Sequence, residues 1–237
     1  MLVSGGKLAY GGHLDPNGYT ALLVQELQRY SRRDRPLRIC LAWQEHRRLS
    51  AEEFDKNKQD IGLFGEIVCL DPEGHVIDWN SGRGNNPQPV HDEALCQQSL
   101  TALRSYMAST TNGRVLIGGR RHGFSGVLPG VLEEAIISLK HGQPLYLAGG
   151  FGGVTSDIVT ALGVDDGSWL PAAPDGPPPD QRLVDGLKQV SALTSAGDWK
   201  GLENGLTIDE NKQLAVTPRP TEIAALVSLG LGRRFRA

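Results

Sequence analysis

The chain has 237 residues, of which 39% are hydrophobic and 22% charged, and a formal net charge of −3. That suits one well-buried α/β domain with a small appended lobe, and excludes a disordered or fibrous chain. The slight acidity argues against a nucleic-acid partner, and no apolar run approaches the roughly 20 residues of a membrane span, so no membrane partner is expected either.

No basic segment followed by an apolar core marks a secretory signal. Cys40, Cys69 and Cys96 lie far apart, imply no disulfide framework and point to a cytoplasmic setting. An apolar run, Leu8-Ala9-Tyr10, comes almost at once, as suits a small stand-alone protein or a domain of a longer one.

Strand and helix alternate along the chain. Lys7 to Tyr10 reads as a short strand ending at Gly11-Gly12, and Leu22, Leu23 and Leu27 recur at helical spacing between Tyr19 and about Arg32. Arg29, Arg32, Arg33, Arg35 and Arg38, then Arg47 and Arg48, read as a solvated helix face and end or as a lure for an anionic ligand. The run from Arg38 to Trp43 suits a buried strand. Ser50 with Glu53 three residues on is a capping box opening a helix. Gly65 to Trp79 reads as two short strands joined by a turn at Asp71-Pro72-Glu73-Gly74. A polar loop precedes a helix from about Glu93 to Ser109.

The stretch Arg114 to Gly153 carries most of the functional signal. It reads as a strand (Val115 to Ile117), a glycine-rich loop, a helix (about Pro129 to Lys140), a strand (Leu145 to Ala148) and a second glycine-rich loop. A helix starting near Thr155 follows. This alternation predicts an α/β fold: a Rossmann-like, doubly wound, mostly parallel sheet with helices on both faces, and a ligand crevice at the carboxyl ends of the strands. The domain is expected over residues 1–168. Residues 169–180 form a proline-rich connector, and 181–237 a C-terminal helical segment packing on the domain or on a partner subunit.

Paired glycines at three strand ends let backbone approach a ligand, and the helix N-termini beyond them offer N–H groups to a phosphate. The expected ligand contacts are Gly11, Gly12 and His13 after the first strand, then Gly118, Gly119, Arg120, Arg121, Gly126 and Gly130. Gly149, Gly150, Phe151, Gly152 and Gly153 complete them. Arg120, Arg121 and His122 read as solvated charge or as anion contacts. Arg104 reads as a solvent-facing helical residue or as a phosphate clamp. Glu134 is a carboxylate favoured by the helix dipole or a contact to a bound sugar. No residues have metal-ligand spacing, and no serine-nucleophile elbow or Walker-type loop occurs, so no metal and no cofactor is expected.

These motifs resemble the SLOG (Lonely-Guy/DprA-like) superfamily over about residues 7 to 165. The helix and strand in LRSYMASTTNGRVLIGG place Arg104 on the arginine of the Lonely-Guy phosphoribohydrolases. GVLEEA places Gly130, Val131 and Glu134 on their glycine, threonine and catalytic glutamate. The compact family loop is split here by RRHGFSGVLP, Val131 replaces the phosphate-binding threonine, and Ser105 stands where the family has lysine. GGRRHGFSGVLPGVLEEA followed by LYLAGGFGG is more similar to the SLOG domains of bacterial conflict systems that accompany TIR or Sir2 effectors. The resemblance implies a homo-oligomeric sensor of an NAD-derived signal such as a cyclic ADP-ribose isomer. The alternative it implies is a nucleotide N-glycosidase with Arg104 and Glu134 as catalytic residues.

Overall fold

The computed structural model describes residues 6–15, 18–29, 35–168, 179–194 and 202–235. It divides into two compact units, Met1–Met107 and Ala108–Ala237.

The first unit holds β1 (Leu8–Gly11), α1 (Tyr19–Arg29), β2 (Leu37–Leu41), α2 (Trp43–Arg47), α3 (Ala51–Ile61), β3 (Gly65–Leu70), β4 (Val76–Ile77) and most of α4 (Glu93–Thr110). The sheet order is β1-β2-β3-β4; the first three strands are parallel and β4 is antiparallel. β2 is apolar except at Arg38, which pairs with Glu66 of β3 at 2.6 Å, because its other side chains are covered on both faces. Leu37, Ile39 and Leu41 pack with Leu27 of α1 and Phe54 and Ile61 of α3, while Cys40 packs with Leu103 and Met107 of α4.

The capping box forms: Glu53 N–H donates to Ser50 Oγ (3.2 Å) and Ser50 N–H to Glu53 Oε2 (2.8 Å). The hairpin turn is tied by Asp71, whose N–H donates to His75 O (2.9 Å) and whose carboxylate accepts from the amides of Glu73 and His75. One expectation is corrected here. The strand expected to reach Trp43 stops at Leu41, and Trp43 opens a short helix in which His46 meets its ring edge-on and Arg47 lies over it.

The second unit holds β5 (Arg114–Ile117), α5 (Gly130–Lys140), β6 (Leu145–Ala148), α6 (Gly153–Ala161), α7 (Gln181–Leu193), α8 (Ile208–Val216) and α9 (Pro220–Phe235). β5 and β6 pair in parallel. Leu183 and Val190 of α7 and Ala215 of α8 share one core with Leu116, Leu132, Leu147 and Ile158, so these C-terminal helices pack on this unit. The Tyr146 hydroxyl donates to Asn204 O (2.7 Å), and Asn204 Nδ2 donates to Leu145 O and to Asn211 Oδ1, both at 2.8 Å.

α8 lies within the expected C-terminal helical segment, where the sequence reading sets no bounds for this helix. Its N-terminus is a second capping box, with Thr207 N–H donating to Glu210 Oε2 (2.8 Å). Most of the expected connector (169–178) and residues 195–201 of the expected helical segment lie outside the described residues. Parallel strands flanked by helices, with further helices at the C-terminus, make this a Rossmann-like α/β fold.

Candidate functional site

In the second unit, β5 runs into Gly118 and Gly119, which have φ of 64° and 101°. An L-residue with a side chain adopts such angles only at a cost. The turn aims two carbonyls at the start of α6: Thr155 N–H donates to Gly118 O (2.8 Å) and Val154 N–H to Gly119 O (3.2 Å). A side chain on Gly119 would meet Val131 at 2.9 Å and Val154 at 3.1 Å. One on Gly153 would meet Gly119 O at 2.5 Å. The two strand-end turns therefore abut, backbone on backbone.

Arg121 fastens the same junction. Its guanidinium grips Asp157 through two 2.8 Å bonds and donates to Gly153 O at 3.2 Å. The Asp157 carboxylate holds the Arg121 pKa above its ordinary value. Two of the amides expected to meet a phosphate, those of Val154 and Thr155, and the charge of Arg121 are thus engaged within the protein. Gly149 and Gly150 have a similar internal cause, because side chains there would run into the backbone of Ala215 and Thr217 at the end of α8.

The start of α5 differs. It follows Pro129 without a side-chain cap, and the first intrahelical bond runs from Glu133 N–H to Pro129 O (3.0 Å). Among the described residues no acceptor meets the amides of Gly130, Val131 and Leu132. Those amides carry the positive end of the helix dipole, where an anion binds favourably. On the loop leading to them, Arg120 is exposed and pairs with no carboxylate among the described residues. Gly118, Gly123 and Gly152 have open space where a side chain would stand, and Ile117, Val127 and Phe151 are about half exposed. Gly126 lies buried within the loop.

Glu134 sits one turn into α5, with Oε2 3.1 Å from Nη1 of Arg114, whose side chain is buried. That pairing, from the first residue of β5, was not visible in the sequence. Neither was the contact of α7 with the glycine loop: the Arg182 guanidinium lies 4.2 Å over the Phe124 ring, and Gly186 packs on Leu132 and Leu128.

In the first unit, a side chain on Gly11 would meet Met107 Sδ at 2.8 Å, and one on Gly12 would run into the Tyr10 ring. His13 Nδ1 lies 3.1 Å from the Asp15 carboxylate, which also pairs with Arg48 at 2.8 Å, and Thr20 Oγ1 donates to His13 O at 2.7 Å. Arg104 lies half-buried on α4 in this unit, whereas Glu134 belongs to the second.

The loop after β4 carries a feature the sequence did not reveal. Arg83 donates to the carbonyls of His46 (2.7 Å) and Leu49 and lies 3.7 Å over the Trp79 ring, which stacks on Phe54 at 4.3 Å. Arg47 donates to the carbonyls of Ser81 and Gly82 and to Gln88. His46 is fully buried against Leu70 O (3.0 Å), and burial pushes its pKa down to about 4.

Among the described residues no cluster of His, Cys, Asp and Glu could hold a metal ion, and no helix is long and apolar enough to cross a membrane. Neither the curated proteins nor the solved structures yield a match to this chain. A family model does: the one described as SLOG cluster2 matches residues 1–214, and the chain belongs to that family.

Proposed function

We propose that this chain is a sensor domain that binds a nucleotide-derived signal, NAD-derived and of the cyclic ADP-ribose kind. It would act as a homo-oligomer in the cytoplasm, within a bacterial antiviral system and beside a TIR, Sir2 or other effector. Membership of a SLOG family supports the nucleotide part of this reading. The observation that carries it is the uncapped first turn of α5, where the amides of Gly130, Val131 and Leu132 await an anion. Arg120 would add charge, while half-exposed Ile117 and Phe151 offer apolar surface for a base.

The second reading is hydrolysis of a nucleotide N-glycosidic bond with Arg104 and Glu134. Against it stands the ion pair that already engages the Glu134 carboxylate from within. Calorimetric titration with cyclic ADP-ribose isomers, NAD and ADP-ribose, with chromatography of the mixtures, tests both. Micromolar binding of at least one without release of free base supports the sensor. No binding by any of them overturns it. Base release that Glu134→Ala abolishes replaces it with the enzyme.

A further inference from the structure

β3 has an edge that its neighbour covers for only two residues. β4 pairs with Cys69 and Leu70, and the chain then leaves the sheet. It is drawn away because Trp79 stacks between Phe54 of α3 and the Arg83 guanidinium, which is itself tied to the carbonyls of His46 and Leu49. Asp71 N–H points at His75 O across the hairpin. Strand alternation therefore turns the N–H and C=O of Cys69 the same way, and likewise those of Ile67 and of Gly65. Beyond the end of β4 no backbone group among the described residues meets Ile67 or Gly65 on that side.

A cleft of about 880 Å³ runs beside this edge, with Ile61, Ile67 and Ile77 among its apolar walls. Arg35 and Lys58 line it, exposed, and neither pairs with a carboxylate among the described residues; Glu66, held by Arg38, and Asp78 line it as well. Leu63, on the rim, is 52% exposed. Natural sheets cover, shorten or charge such an edge to prevent strand addition. Here the segment that could cover it is pinned elsewhere.

We infer that this edge takes an extended segment of a partner protein, added as a strand in line with β4, with apolar side chains in the cleft and a carboxylate at Arg35 and Lys58. Unpaired main-chain groups beside a partly apolar cleft select a strand over a helix or a small molecule. The unmatched cations select an acidic residue on it. A second copy of this chain fits less well, because antiparallel pairing of two β3 edges about Glu66 would set two carboxylates opposite each other.

Selection of random displayed octapeptides on the immobilised full chain tests this. Enriched peptides should alternate β-branched or aromatic residues and carry Asp or Glu toward one end. By fluorescence anisotropy their affinity should fall about tenfold on Ile67→Pro, which removes an outward N–H, and about threefold on Lys58→Glu. N-methylation of the peptide at alternate residues should match the proline effect, and decides the matter should Ile67→Pro fail to fold. Absence of enrichment, enriched peptides without an acidic residue, or binding indifferent to N-methylation would overturn the inference. So would self-association of the parent chain in sedimentation that Lys58→Glu abolishes, which would make the occupant a second copy.

Discussion

Replacing Gly153 by alanine probes the contact between the two glycine turns. Gly153 has φ of 70°, and its missing side chain would stand 2.5 Å from Gly119 O and 2.7 Å from the Gly118 carbonyl carbon. The left-handed conformation alone costs an L-residue about 1 kcal/mol. Forcing the neighbouring backbone aside adds about 1–3 kcal/mol, because a packed interior yields only by shifting. Gly142→Ala is the matched control, since Gly142 has φ of 63° and nothing within 4 Å of the added methyl. It should lose about 1 kcal/mol only. Urea unfolding followed by circular dichroism reads the difference, with hydrogen exchange at the Leu116 amide locating it in the second unit. Gly153→Ala should be the weaker by about 2 kcal/mol, roughly 30-fold in the unfolding constant. Equal losses in the two variants would show that the turns do not abut as described.

Three further outcomes are expected. His46 is held neutral with a pKa of about 4 against an ordinary 6.5, so as pH falls from 6.5 to 4 the unfolded chain takes up a proton that the folded chain refuses. Stability should drop over that window by about 3 kcal/mol more in the parent than in His46→Gln, and matching pH profiles would refute it. Glu134→Gln removes the carboxylate charge 3.1 Å from the buried Arg114 and should cost about 2–3 kcal/mol in thermal unfolding, while a further Arg114→Met should recover part of the loss; a fully stable single variant would contradict the pairing. Arg120→Ala should leave stability within about 0.5 kcal/mol of the parent yet weaken binding of an NAD-derived nucleotide about tenfold, and unchanged affinity would remove Arg120 from the site.

Elements written in local chemistry were legible. The Ser50–Glu53 capping box, the Asp71–Gly74 turn and the apolar runs at Ile39 and Leu145 each encode their element within a few residues. α2 was hidden because Trp43 continues an apolar run and turns helical only by packing with His46 and Arg47. α8 shows a legible cap at Thr207 and Glu210 but a weak apolar stripe in IDENKQLAV.

The glycines teach the harder lesson. A bare backbone looks the same in sequence whether a ligand or another turn of the chain lies against it. At Gly11, Gly149, Gly150 and Gly153 the neighbour is Met107, Ala215, Thr217 or Gly119, far away along the chain. The pairing of Glu134 with Arg114, and the lacing of the 79–88 loop by Arg47 and Arg83, depend on tertiary placement that no spacing rule reports.

Amide hydrogen exchange at the start of α5, with and without a saturating NAD-derived nucleotide, tests the proposed anion contact most directly. The amides of Val131 and Leu132, which have no acceptor among the described residues, should slow when ligand is present, while those of Val154 and Thr155, already bonded to Gly119 and Gly118, should change little. Ligand bound with Val131 and Leu132 exchanging at their unliganded rates would place the nucleotide elsewhere on the protein.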